Sequence, residues 1–159
     1  MGDATMDCQE MLREYRAGSA LLRAAICDLT EAQLDARPVA GKWSTRQVVC
    51  HIADFESIYA DRMKRVLVED QPTLLGGDPD AFALGLAYDQ RDVAEELDLI
   101  HLVRKQMARI LDTLDPEDFQ RQGIHTKAGP LTLEVLLQRI TGHIPHHVRF
   151  IEEKKAALA

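Results

Sequence analysis

Apolar residues recur at steps of three and four through four long stretches of this chain, the spacing of helices that bury one face each. In the first, over about 5–28, the stripe is Cys8, Met11, Leu12, Tyr15, Ser19, Leu22, Ile26 and Leu29. The second runs from Ser44 to about residue 69, with Val48, Ile52, Phe55, Tyr59, Met63 and Val66 facing inward. A third, over about 89–113, carries Val93, Leu97, Ile100, Val103, Met107, Ile110 and Leu114. The fourth follows Thr132 with Leu133, Leu136, Leu137, Ile140, His143, His147, Phe150 and Ile151.

The punctuation between these stripes is specific. Thr30 with Gln33, and Ser44 with Gln47, read as capping boxes, in which each side chain satisfies a free amide of the other's turn. The first starts a short helical turn that ends before Pro38, and Trp43 stands where it can staple against Val48. Asp115-Pro116 is a helix start with proline at the first helical position, and Thr132 caps the last helix. Leu29 to Leu34 resembles Leu114 to Phe119, and Gly41-Lys42-Trp43-Ser44 resembles Gly129-Pro130-Leu131-Thr132. Each half therefore reads long helix, short turn, glycine, capped long helix. This predicts an all-α four-helix bundle with an approximate internal two-fold repeat and a long central connection, all within one domain spanning 1–159.

That connection begins with QPTLLGGDPD at 71–80, a loop by its prolines and glycines. Leu74, Leu75, Phe82, Leu84, Leu86 and Tyr88 make the 71–88 segment apolar for a surface, so it either lies over the bundle or meets a partner subunit. The loop through Gly123, His125 and Gly129-Pro130 leads to the last helix, with His125 in solvent; His101 and Arg104 lie off or beside the centre of the apolar face, and His101 reads as a surface or edge residue rather than a ligand.

The chain has 159 residues, enough for one core, and a net charge of -7, which opposes affinity for phosphate backbones and excludes nucleic acid as the expected partner. No apolar run is long enough to cross a membrane, and MGDATMDCQEM lacks the basic and apolar regions of a signal peptide; a cytoplasmic protein is expected. Cys8, Cys27 and Cys50 are odd in number and show no paired spacing, which fits a reducing compartment. None has a base beside it in sequence that would make it a nucleophile.

His143 and His147 stand where a packed helix places leucine, one turn apart on the same face, the arrangement by which a helix presents two nitrogen ligands to one ion. His51, one turn after Val48, is a third histidine on an inward face; His146 falls on the polar row with Arg139, Gly142 and Arg149. Pro145 removes a helical hydrogen bond beside this pair, and Gly142 loosens the same turn, so a kink is expected there. Two readings stand: imidazoles satisfied within a core, or three ligands of a divalent ion, zinc or nickel above all and iron as a further choice. Three imidazoles leave a coordination position open for water or a thiol. Asp54 and Glu56 are candidate orienting or proton-accepting groups, or else solvated carboxylates beside Arg62 and Lys64. His51 lies seven residues past its cap and His143 and His147 eleven and fifteen past theirs. The resulting offset of about 6–12 Å requires the two helices to be antiparallel or staggered.

A Gly-Lys-Trp-Ser entry to a helix reading VVCHIADFE, four helices, and a closing TGHIPHHVRF resemble the DinB/YfiT-like metalloprotein superfamily over nearly the whole chain. The resemblance implies a bundle that binds a divalent metal through one histidine of its second helix, here His51, and the HxxxH pair of its fourth, here His143 and His147. It leaves His146 outside the ligand set. It implies a small-molecule substrate, with thiol-dependent transferases and isomerases among the characterised relatives, low-molecular-weight thiols as co-substrates, and homodimers. Hydrolysis or thiol transfer at the ion, or a metal-containing module without turnover, are the functions to be distinguished.

Overall fold

Each long helix begins where a short polar side chain can satisfy a free amide. In the computed structural model, which describes residues 7–159, α1 (Cys8–Ile26) is capped by Asp7, and the short α2 (Glu31–Asp35) and long α3 (Thr45–Val68) by the reciprocal boxes of Thr30 with Gln33 and Ser44 with Gln47. The expected start of α1 at Thr5 lies outside the described residues. Later come α4 (Pro79–Gly85), α5 (Val93–Leu111) under Asp92, and α6 (Leu133–Leu158), whose cap Thr132 accepts from the amide of Val135. A 3-10 turn at Pro116–Gln120 stands between α5 and α6 as α2 stands between α1 and α3, the repeat expected from the paired punctuation.

The relative directions of the helices follow from which residues share a layer. One core cluster holds Leu12 and Tyr15 of α1, Met63 and Val66 of α3, Met107 and Leu111 of α5, and Leu133 to Ile140 of α6. The other holds Leu22 and Ile26, Val48 to Ala53, Val93 to Ile100, and Ile144 with Ile151. Helices α1 and α6 thus run from the first layer to the second, and α3 and α5 run the opposite way. Because α3 and α5 are parallel, the chain must return the length of the bundle between them, which is why residues 69–92 form a long connection where two antiparallel neighbours would need only a short one.

That connection is more ordered in type than its prolines and glycines suggest. Strand β1 (Thr73–Leu74) pairs in parallel with β2 (Gln122–His125), which forms an antiparallel hairpin with β3 (Gly129–Thr132). The expected loops at 71–80 and 123–130 are thereby corrected to a small three-stranded sheet, and the chain after β1 goes on into α4, which packs on α3. Its strands are two to four residues long and β1 meets its partner across some fifty positions, so no local pattern announces it. Gly123 is required at the crossing: a Cβ there would stand 2.9 Å from the carbonyl oxygen of Pro72 and from the Leu74 side chain. The 71–88 segment both lies on the bundle, with Leu74 and Tyr88 buried, and bares Leu75 and Leu84.

Helix α6 runs unbroken through Pro145, which sits on its exposed side. Among the described residues no helix is long and apolar enough to cross a membrane.

Candidate metal centre

Antiparallel packing of α3 against α6 brings three imidazoles together at the level of the second apolar cluster, His51 beside Val48 to Ala53 and His143 and His147 on either side of Ile144. His51 Nε2 lies 3.0 Å from His143 Nε2, and His147 Nε2 lies 3.1 Å from the same atom. One ring nitrogen of each histidine falls within 4.8 Å of the others. The depth offset computed from the caps is thus absorbed by the antiparallel course of the two helices. His51 is 5% exposed, and His143 and His147 are half-buried.

Hydrogen bonding alone does not account for this triangle. His143 Nε2 has one lone pair or one hydrogen, so it makes at most one good bond, yet it faces two other Nε2 atoms. A cation at the centre uses one lone pair from each ring. Four-coordinate zinc, about 2.0–2.1 Å from each nitrogen, separates its ligands by about 3.3 Å, close to the two edges that meet at His143 Nε2, 3.0 and 3.1 Å. The residues present fit the group.

Electrostatics prepare the rings for it. Burial pushes the His51 imidazole down to about 4, with Asp54 acting in the opposite sense and His146 adding slightly. Burial, then the charges of His147, His51 and Arg104, push His143 down to about 2, and burial with His51 and His146 pushes His147 to about 3. All three are neutral near pH 7, the form that donates a lone pair.

Asp54 and Glu56 do not hold these imidazoles. Asp54 accepts from the Tyr88 hydroxyl at 2.8 Å and from both terminal nitrogens of Arg91, at 2.9 and 3.1 Å. Glu56 is wholly buried against Arg104, which donates to its Oε1 from Nε at 2.9 Å and Nη2 at 2.5 Å. The Nδ1 atoms of His51 and His143 are buried and have no hydrogen-bond partner. Ring orientation is therefore set by packing: the His51 ring lies 5.2 Å from Trp43 and 4.7 Å from Phe55, centroid to centroid. His146 is exposed and stacks edge-on against His147 and Phe150, outside the triangle.

Arg104 corrects the expectation most. Expected off or beside the centre of the apolar face, it is 1% exposed at the centre of the bundle, bonded also to the carbonyl oxygens of Tyr15 at 2.7 Å and Ile140 at 2.8 Å. One side chain so joins all four long helices. Its signal was present: Arg104 is four residues past Ile100 and Glu56 four past Ile52, two opposite charges on two apolar stripes. His101, expected at the surface or an edge, is exposed, and it shares a contact of 3.2 Å with the Ser19 hydroxyl. His125, expected in solvent, is half-buried, and its Nδ1 accepts from the amides of Lys127 and Ala128.

A cavity of about 240 Å³ opens against His147, walled by Trp43, Val48, Phe150, Lys42, Asp80 and Lys154. Of the three imidazoles, it is His147 that lines it.

The sequence profile of the DinB superfamily matches residues 14–151. The chain belongs to the DinB superfamily. Among DinB relatives, a protein of Oceanobacillus iheyensis is 28% identical over 142 residues, covering 89% of this chain and 82% of its own. YfiT of Bacillus subtilis is 30% identical over 135 residues, covering 84% and 76%. Both carry the name "putative metal-dependent hydrolase". The solved structure of YfiT superposes with a TM-score of 0.90 over 99% of this chain and 93% of that one, and is described as "a probable metal-dependent hydrolase with an unusual four-helix bundle topology". A mycothiol-dependent maleylpyruvate isomerase shares the fold, with a TM-score of 0.71 at 9% identity over 89% of this chain and 59% of that one.

Proposed function

We propose that this DinB protein is a metal-dependent hydrolase of small molecules, with His51, His143 and His147 as the ligands of one divalent ion through their Nε2 atoms. The observation that carries the reading is the convergence of three neutral imidazole nitrogens, those of His51 and His147 at 3.0 and 3.1 Å from that of His143, with no carboxylate among them. An all-imidazole set suits zinc or nickel, with iron next. A divalent ion held there supplies Lewis acidity, which polarises a carbonyl and acidifies water.

The chain's own residues do the rest. Trp43 and Phe55 fix the His51 ring against rotation, so that its lone pair is aimed before any ion arrives. Burial keeps protons off the three nitrogens at neutral pH. With three protein ligands a position remains open, and the cavity against His147 is where a substrate reaches it. The hydrolase names of the relatives favour water over a thiol as the attacking group.

Elemental analysis of the purified protein and of His51→Ala, His143→Ala and His147→Ala tests the ligand set, with about one equivalent of metal expected in the parent and little in each variant. A panel of esters, amides and phosphoesters, set beside transfers of low-molecular-weight thiols, tests the reaction. Hydrolysis abolished by a chelator and restored by zinc or nickel is expected. Metal content unchanged in His143→Ala, or turnover indifferent to the chelator, overturns the reading.

A further inference from the structure

The cavity against His147 carries a charge that the metal site does not use. Lys154 is 5% exposed, lines this cavity, and makes no hydrogen bond or ion pair among the described residues. Its stem is packed and its unpartnered ammonium keeps some contact with solvent at the cavity, partly stripped of water; lysine is seldom found so deep unless something pairs with it. Lys42, on the turn before α3, lines the same cavity and is near enough to disfavour the Lys154 charge further. Two cations therefore face one small space in a chain of net charge -7. The one carboxylate on the wall, Asp80, is exposed at the start of α4 and bonds neither lysine. The exposed Glu153 is the carboxylate whose charge acts on Lys154, and it makes no ion pair with it.

The remaining walls are apolar: the Trp43 indole, Val48 and Phe150. A volume of about 240 Å³ is below the range of cavities that enclose drug-sized ligands, and suits a single ring or a short chain.

We propose that this cavity is the substrate-recognition site and that it selects a small organic anion, a carboxylate on an apolar ring or chain, with Lys154 and Lys42 pairing the anionic end and Trp43 and Phe150 clasping the apolar body. The inference rests on the hydrolase reading for calling the bound molecule a substrate; the anion pairing itself stands on the two lysines. Lys154 is seven residues, two turns, beyond His147 on the same face of α6, so the anionic end is held about 10 Å along the helix axis from that ring. The group to be cleaved then lies at the opposite end of the molecule from the carboxylate. Neutral analogues of the same shape leave Lys154 unpaired and bind less well.

The test uses benzoate and its neutral counterpart benzamide, titrated into the purified full-length protein while the fluorescence of Trp43, the one tryptophan of the chain, is followed. Metal content is measured on the same samples, for the parent, Lys154→Met and Lys154→Arg. Saturable quenching by benzoate at least tenfold tighter than by benzamide is expected, with the preference lost in Lys154→Met, kept in Lys154→Arg, and metal content equal in all three. Equal binding of benzoate and benzamide by the parent, or an unchanged preference in Lys154→Met, overturns the proposal while leaving the metal reading intact. A Lys154-dependent preference in protein that takes up no metal supports the anion site and defeats the metal reading instead. Thermal melting of Lys154→Met, which keeps the length of the side chain, separates a local effect from unfolding.

Discussion

Glycine at position 18 lies in the middle of α1, where replacement by alanine ordinarily adds up to about 1 kcal/mol to helix stability. Here the sign reverses. A Cβ at Gly18 would stand 2.1 Å from Arg104 Nη1 and 3.0 Å from Arg104 Cζ. The far end of a long side chain can usually swing aside, but this guanidinium is held by Glu56 Oε1 and by the carbonyls of Tyr15 and Ile140, with no solvent to move into. Displacing it breaks a buried ion pair, which costs about 3–5 kcal/mol when one partner is left uncompensated. Subtracting the helix gain leaves Gly18→Ala destabilised by about 2–4 kcal/mol, or roughly 5–15 °C in melting temperature for a chain of this size. Gly142→Ala is the matched control, because that glycine is exposed in α6 with nothing within 4 Å of the added carbon, and it gains up to about 1 kcal/mol. Urea or thermal denaturation of both variants, followed by circular dichroism, reads the difference. A Gly18→Ala protein as stable as the parent or more so would refute the close packing of α1 onto Arg104.

Glu56→Gln leaves Arg104 without its counter-charge and is expected to lower stability by about 3–5 kcal/mol, measured by urea unfolding; an unchanged midpoint counts against the pair. Pro145→Ala, on the exposed side of an unbroken helix, is expected to raise stability by as much as about 3 kcal/mol with metal content retained; lost metal would show that the proline shapes the site. The metal-free protein is expected to lose stability as pH falls from 6.5 toward about 4. In that window the unfolded chain binds protons that His51, His143 and His147 refuse in the fold, so the melting temperature of chelated protein should fall monotonically with acidification. Cys27 is exposed, whereas Cys50 is wholly buried with its thiol pushed up to about 12; in native protein an aromatic disulfide reagent should label Cys27 promptly and Cys50 only on unfolding, and equal rates would contradict the burial.

How much of this could be read from the chain depended on the range of the interaction. Helix boundaries came through within a few residues because caps such as Ser44 with Gln47 and Thr132 are local chemistry. The histidine triangle was legible too: His143 and His147 replace apolar residues on one stripe, and His51 does so on the symmetry-related helix, so each face was visible even though the pairing of faces was not. The sheet was illegible, since β1 acquires its partner only when the connection folds back on the bundle. The partners of Asp54 and Glu56 were illegible for the same reason: neither an orienting contact with His51 nor solvation beside Arg62 and Lys64 describes them. Asp54, three positions on, is a helix-surface neighbour of His51 and still pairs elsewhere, while Glu56, five positions on, is turned well round the helix; Arg91 and Arg104, far along the chain, claim the two carboxylates. Lys154 lay in plain view three residues past Ile151 on the buried stripe, but lysine on an apolar face is easily dismissed as a side chain reaching back to water.

The two apolar clusters and the polar groups packed with them explain one another. A bundle whose four helices met only through leucine and isoleucine could slide along its own axis by a turn at little cost, because such contacts are non-directional. The triangle cannot tolerate that: a shift of one turn, about 5.4 Å, separates His51 from the pair on α6. Arg104 prevents it by bonding to α1, α3 and α6 at once from α5, in fixed directions that fit only one register. It sits near enough to His143 to disfavour a proton there, and it is itself paired with the buried Glu56. A buried ion pair contributes little net stability compared with a well-packed apolar core. Its value in this fold is positional, since it fixes the depth at which α3 and α6 face each other, and the three imidazoles can meet only at that depth.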